Sequence, residues 1–361
     1  MQVTGQEYFL FVGTYDSPKS EGIYVYKFNS IDGSAKEISY VKTSNPSFLT
    51  VSPDGKYVYA VNENADSTGK GGGVTSFSFN KKTGSLTQLS QQSSEGNHPC
   101  YISVDQTGKW VIAGNYSSGN FSLLPVIEKG ILGKALDTIQ YYGKGFNSQR
   151  QQSPHVHATV FSPDNRYLLV TDLGLDRLNS YQFDEKNGLL NHLPSHIVYA
   201  VPGMGPRHLD FDHSGNFVFV MNELSSFIDV FRWDNGNLFP IQSLTSMSKD
   251  YSGPAGSADI HVSPDGKFLY TSNRAESNSI SIFTIHKKKG ILKLVGHQST
   301  LGKTPRNFNI DPTGKFLLVG NQNSDEIVIF KRDLKKGFLS DTGKRIAVGK
   351  PVCLKWIAIK Y

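Results

Sequence analysis

The chain has 361 residues, 38% hydrophobic and 19% charged, with 35 Gly, 22 Phe, 17 Tyr, a net charge of +6 and a pI near 9.0. No apolar run reaches the roughly eighteen residues that a membrane helix needs. No basic stripe interleaved with stacking aromatics suggests a nucleic-acid partner. Glycine turns and abundant aromatics favour an all-β chain.

The N-terminus, MQVTGQEYFLFVGTY, lacks a basic start followed by an apolar run, so no signal peptide is expected. Cys100 and Cys353 match no zinc spacing and no disulfide framework, which favours a reducing compartment and a cytoplasmic location. Lysine pairs such as Lys81–Lys82 and Lys335–Lys336 read as solvated hairpin tips.

From Ser52 onward one pattern recurs: SPDGKYVYAVNE, VDQTGKWVIAGNY, FSPDNRYLLVTDL, FDHSGNFVFVMNE, VSPDGKFLYTSNR and IDPTGKFLLVGNQ. Its turn markers are Gly55, Gly108, Asn165, Gly215, Gly266 and Gly314, spaced 53, 57, 50, 51 and 48 residues apart. A period near fifty is that of a propeller or solenoid. Each unit reads as an entering strand, a glycine turn, a leaving strand, a third strand and a ragged fourth, which makes a four-stranded antiparallel blade. We label the strands A to D from the axis outward.

Six markers give six A–B hairpins. The N-terminal segments YFLFVGTY, GIYVYKFN and AKEISYVK supply B, C and D of another blade, and the C-terminal PVCLKWIAIKY supplies its missing A. The expectation is a single-domain, seven-bladed β-propeller over residues 1–361, its first blade closed by the C-terminal strand so that no edge is left open at the seam. The longest interruption, residues 128–153, is expected to be an insertion decorating one face.

Strand A starts and strand B ends on the same face, at the mouth of the central channel. Eight residues before each marker stand Ser47, Cys100, His157, Arg207, Ala258 and Arg306. Counting parity, the positions six and four before the marker are apolar core. At the end of B an Asn or Asp recurs: Asn62, Asn115, Asp172, Asn222, Asn273 and Asn321, with Thr14 as counterpart. A residue repeated in every blade is read as structural. The next position varies: Tyr15, Glu63, Tyr116, Leu173, Glu223, Arg274 and Gln322. One rim therefore gathers His157, Arg207, Glu223, Arg274 and Arg306, with Glu63, His155 and His98 nearby. For single residues plainer readings compete. Arg207 and Glu223 could be a salt bridge closing a blade, and Arg306 could pair with Asp325 or Glu326. Together the cations exceed the carboxylates, and such a mouth attracts anions. His98 and His261 are read as structural.

The segments FVGTY…GIYVYKF, PHVHATVFSPDNRYLLVTDLG, GMGPRHLDFDHSGNFVFVMNE, SPDGKFLYTSNR and TPRNFNIDPTGKF resemble the lactonase family of seven-bladed propellers, which contains bacterial 6-phosphogluconolactonases and fungal carboxymuconate lactonizing enzymes. The resemblance runs from about Tyr8 to the C-terminus. It implies an active site of His157, Arg207, Glu223 and Arg274, with His155 the neighbouring alternative to His157. It also implies hydrolysis of 6-phosphoglucono-δ-lactone, a small anionic substrate of the pentose phosphate pathway. Arg306, His155, Asn273 and Glu63 are the candidate substrate- and phosphate-binding residues. No metal or other cofactor is expected, and the expected state is a monomer or weak homodimer. The alternatives are a cycloisomerase or hydrolase acting on a carboxylated lactone, a calcium-dependent sugar lactonase recruiting Asn115, Asp172, Asn222 and Asn273, and a non-catalytic binding scaffold. Arginines beside such a calcium site would oppose the cation.

Overall fold

The computed structural model describes residues 7–358, which form seven sheets arranged in a ring around a central channel. The innermost strands follow one another around the axis: Leu49–Val51, Pro99–Val104, Val156–Phe161, Pro206–Phe211, Ser257–Val262, Pro305–Ile310 and Pro351–Ala358. The last of these pairs antiparallel with Glu7–Thr14, which leads to Gly22–Asn29 and Ala35–Lys42, so the two chain ends together make blade 1. Among the described residues no helix is long and apolar enough to cross a membrane.

The burial gradient follows from the layering. Strand B of blade 5, Phe217–Asn222, is buried at every position because a blade packs on each side. The outer strand Leu339–Ala347 is exposed or half-buried except at Leu339 and Ile346, because its outer edge meets water. The repeated turn needs a left-handed residue. Gly215 has φ 68° and Asn165, which replaces glycine in blade 4, has φ 60°. Asparagine tolerates that region better than other side chains do, which is why the motif survives the change.

Residues 128–153 are not an insertion on one face. Their centre, Asp137–Gln140, is the outer strand of blade 3 and pairs with Asn120–Pro125. Residues 128–136 connect strands C and D on the far face, where Gly130 lies against Tyr57. Residues 141–153 return across the mouth toward strand A of blade 4.

In blades 3 to 7 the A–B pairing skips a residue where strand A begins. The unpaired residues are Cys100, His157, Arg207, Ala258 with Asp259, and Arg306. These are β-bulges, which re-aim a side chain by placing two residues opposite one. Parity counted across them fails. The apolar positions beyond, such as Leu209, Ile260 and Phe308, are buried as parity predicts. Of the bulge residues, Cys100, His157 and Arg306 face the mouth of the channel.

Candidate active site

A cavity of about 490 Å³ opens at the channel mouth, lined by Tyr15, Glu63, Cys100, Tyr116, Arg150, His157, Glu223, Gly256, Arg274, Ala275, Thr304 and Arg306. Five of these follow the recurring Asn, Asp or Thr of strand B: Tyr15, Glu63, Tyr116, Glu223 and Arg274. One backbone bond fixes this position in all seven blades. Its N–H donates to the carbonyl two residues before the strand-A bulge position, as in Glu63 N to Asn45 O, Glu223 N to Gly205 O and Arg274 N to Gly256 O. The frame repeats and the side chains it presents vary.

That frame separates the two histidines. His155 sits at the accepting position, where its carbonyl takes the Leu173 N–H. Its own N–H donates to Asp172 Oδ1, and its ring stacks on Tyr116 at 4.3 Å between centroids. His155 does not line the cavity; His157, two residues later at the bulge, does. Asn273 also lies away from the cavity. It is fully buried, its Oδ1 accepts from Ser246 and Ser257, and its Nδ2 donates to Ser281 at 2.8 Å. It ties strand B to its neighbours, as Asn62 and Asn115 do through Ser44 O and Ser94 O.

Glu223 is the hub. Its Oε2 meets Arg207 Nε at 2.9 Å and an Arg274 terminal nitrogen at 2.9 Å, and its Oε1 meets Arg150 at 2.6 Å. Burial alone would raise its pKa. Arg274, Arg207 and Arg150 more than offset burial and hold the carboxyl well below its ordinary range. Arg207 also donates to Ala258 O, and Arg274 to Gly256 O and Ser257 O, so both guanidiniums are locked to backbone. Burial, then Arg274 and Arg306, lowers the Arg207 pKa to about 10, still charged at neutral pH.

His157 Nε2 lies 3.9 Å from Glu223 Oε2, and its Nδ1 lies 3.7 Å from Cys100 Sγ. Burial, Arg207 and His208 push its pKa well below 6.5 against the pull of Glu223, so the ring is neutral. Across the cavity Glu63 accepts from Tyr15 Oη at 2.9 Å and from Ser47 Oγ. The Arg306 guanidinium lies over the Tyr15 ring, 5.3 Å from its centroid. It forms no ion pair among the described residues. Asp325, the partner weighed for it, is taken by Lys19 at 3.0 Å. Four guanidiniums thus face two carboxylates, and Arg306 is the one without a direct ion pair among the described residues, although Tyr15, Glu63 and Glu223 favour its charge against burial.

Two features escaped sequence reading. Arg150 is a lone cation in a connection that repeats nowhere, and its only signal was its place shortly before His157. Beneath the mouth a second layer fills the channel. Phe48 stacks on Tyr101 at 4.2 Å, and His208 Nδ1 lies 2.7 Å from Asp259, which also binds His261 and Asn307. Tyr101, His208 and Asn307 directly follow the bulge residues Cys100, Arg207 and Arg306. Among the described residues no cluster of three His, Cys, Asp or Glu side chains forms a metal site.

The model of the seven-bladed β-propeller lactonase family matches residues 9–356. The chain belongs to this family. It is 38% identical to a 6-phosphogluconolactonase of Formosa agariphila over 343 residues, covering 94% of this chain and 96% of the relative. It is 34% identical to the 6-phosphogluconolactonase of Bacillus subtilis, covering 97% and 99%. The solved periplasmic gluconolactonase of Pseudomonas aeruginosa superposes with a TM-score of 0.92 at 37% identity, covering 98% of this chain and all of that one.

Proposed function

We propose that this lactonase is a 6-phosphogluconolactonase, converting 6-phosphoglucono-δ-lactone to 6-phosphogluconate with His157, Glu223, Arg274 and Arg306 as working residues and Arg207 as the fixed support of Glu223. Arg306 carries the reading. A cation with no direct ion pair among the described residues, in a cavity of this size, suits a phosphorylated lactone better than the neutral gluconolactone handled by the Pseudomonas relative.

His157 Nε2 and Glu223 Oε2 are both acceptors, 3.9 Å apart. A water about 2.8 Å from each donates one hydrogen to either side and turns a lone pair toward the substrate. As that lone pair adds to the C1 carbonyl, His157 takes one water proton, and ionised Glu223 stabilises the imidazolium that forms. Arg274 neutralises the tetrahedral oxyanion. Collapse breaks the bond from C1 to the ring oxygen, which receives the proton from His157. Arg306 binds the phosphate, and Tyr15 and Glu63 orient its guanidinium. We place the enzyme in the cytoplasm, as a monomer or weak homodimer without nucleic-acid or membrane partners.

The test is turnover of freshly generated 6-phosphoglucono-δ-lactone, coupled to 6-phosphogluconate dehydrogenase and corrected for spontaneous hydrolysis. Fast wild-type turnover that collapses in Glu223→Gln and Arg274→Ala is expected. Rates at background would overturn the reading and direct the assay to carboxylated lactones.

A further inference from the structure

We propose that Arg150 is a counter-ion exchanged by the substrate: the phosphate draws its guanidinium away from Glu223, and this release switches on the Glu223–His157 pair. The proposal rests on the functional reading above and adds a reason for the enzyme to require a phosphorylated substrate.

Of the three guanidiniums on Glu223, Arg150 alone lacks a backbone tie among the described residues. Arg207 and Arg274 each donate to main-chain carbonyls and are 1% and 16% exposed in their side chains. Arg150 is 45% exposed, and its other partner is Tyr116 Oη at 3.4 Å. Its backbone, by contrast, is pinned. Asn147 Oδ1 accepts from the Gln149 and Arg150 N–H groups, and Asn147 N donates to Gln151 Oε1. Gln151 is fully buried and donates to Leu173 O. A fixed loop thus carries one long, movable cation over the cavity.

Arg306 lines the same cavity without a direct ion pair among the described residues. A phosphate dianion there offers three oxygens, enough for a fork from each arginine. It outbids a carboxylate that keeps two other guanidiniums after Arg150 leaves. Once Arg150 moves, Glu223 is held by Arg207 and Arg274 only, and its charge acts more strongly on His157, 3.9 Å away. The groups facing His157 are then Glu223, Arg207, Arg306 and His208, with Cys100 at Nδ1. The weaker neutralisation of Glu223 favours the imidazolium formed as water adds. Phosphate binding therefore raises kcat as well as affinity, because the interaction is completed only in the transition state.

The experiment supplies the phosphate separately from the sugar. Hydrolysis of glucono-δ-lactone, which has no phosphate, is measured with and without inorganic phosphate in wild type, Arg150→Ala and Arg150→Lys. Wild type is expected to accelerate roughly tenfold or more at saturating phosphate, Arg150→Ala to lose the acceleration, and Arg150→Lys to keep part of it. Calorimetry with inorganic phosphate is expected to show binding weakened about tenfold in Arg150→Ala. Equal acceleration in wild type and Arg150→Ala would overturn the proposal. So would fast turnover of the phosphorylated lactone by a wild type that free phosphate does not accelerate. If wild type hydrolyses neither lactone, the functional reading falls and this proposal falls with it.

Discussion

Arg207 Nε donates to Glu223 Oε2 over 2.9 Å, joining the bulge that opens strand A of blade 5 to the residue that follows strand B of the same blade. Both side chains are almost wholly buried, so the pair belongs to the fold as much as to the chemistry. Replacing Glu223 by Gln leaves three guanidiniums around an uncharged amide. Breaking a buried ionic network in this way costs about 3–5 kcal/mol. Arg274→Ala removes a partner nearer the solvent while Arg207 and Arg150 remain, and costs about 1 kcal/mol. Both variants are expected to lose activity. Urea unfolding separates them, and equal destabilisation would show that Arg274 is as structural as Glu223.

Arg306 separates stability from substrate recognition. Its charge is partly buried over Tyr15 without a direct ion pair among the described residues, yet Tyr15, Glu63 and Glu223 more than offset burial and favour the charged form. Arg306→Met is expected to cost about 1 kcal/mol of stability, because it removes a cation that Tyr15, Glu63 and Glu223 favour. It should raise KM for the phosphorylated lactone at least about tenfold and leave KM for glucono-δ-lactone nearly unchanged. Thermal unfolding and the two KM values check this together. An equal rise in both KM values would rule out the phosphate role.

The propeller was legible because its signals repeat. Six glycine or asparagine turns marked the hairpins, and leftover strands at the two ends implied the shared first blade. The variable residue after strand B was legible for the same reason, since a fixed frame exposes whatever does not obey it: Glu223 and Arg274 stood out against it. His157, Arg207 and Arg306 were found by counting from the turn, but the parity used to aim them was broken by the bulges. That break also left His155 and His157 unresolved, because only pairing shows which of them supplies a carbonyl to the frame. Asn273 was drawn into the site by adjacency to Arg274, although its recurrence already marked it as structural. Arg150 had no equivalent in other blades. Nothing periodic marked it, and only the path of residues 141–153 over the mouth brings it to Glu223.

Acid and metal dependence of turnover follow from the charges at the mouth. His157 must be neutral to accept a proton, and burial, Arg207 and His208 keep it so to well below pH 6.5. The kcat/KM profile should therefore stay level as pH falls through 6.5 and decline only in more acidic buffer. The excess of guanidinium charge also repels divalent cations, so chelator should leave the rate unchanged. A midpoint at or above 6.5 would exclude His157 as the base in this environment. A rate lost to chelator and restored by calcium would favour the sugar-lactonase alternative.

The second channel layer predicts how stability responds to acid. Burial, followed by Arg207, lowers the His208 pKa to about 3, although Nδ1 lies 2.7 Å from Asp259. An unfolded histidine takes its proton near 6.5, so below that pH the unfolded chain binds more protons here than the folded one. The resulting cost is absent above pH 6.5, grows as pH falls and is complete only below about 3. At about pH 5 it amounts to roughly 1.5 pH units at about 1.4 kcal/mol each, or about 2 kcal/mol. His208→Asn keeps a donor for Asp259 and carries no such cost. Whatever advantage wild type holds at about pH 7.5 should shrink by about 2 kcal/mol at about pH 5, because all other titrating groups are common to both proteins. Urea unfolding of the two proteins at both pH values measures this difference. A gap that stays constant would mean that His208 is protonated in the folded channel and pairs with Asp259 as an ion pair.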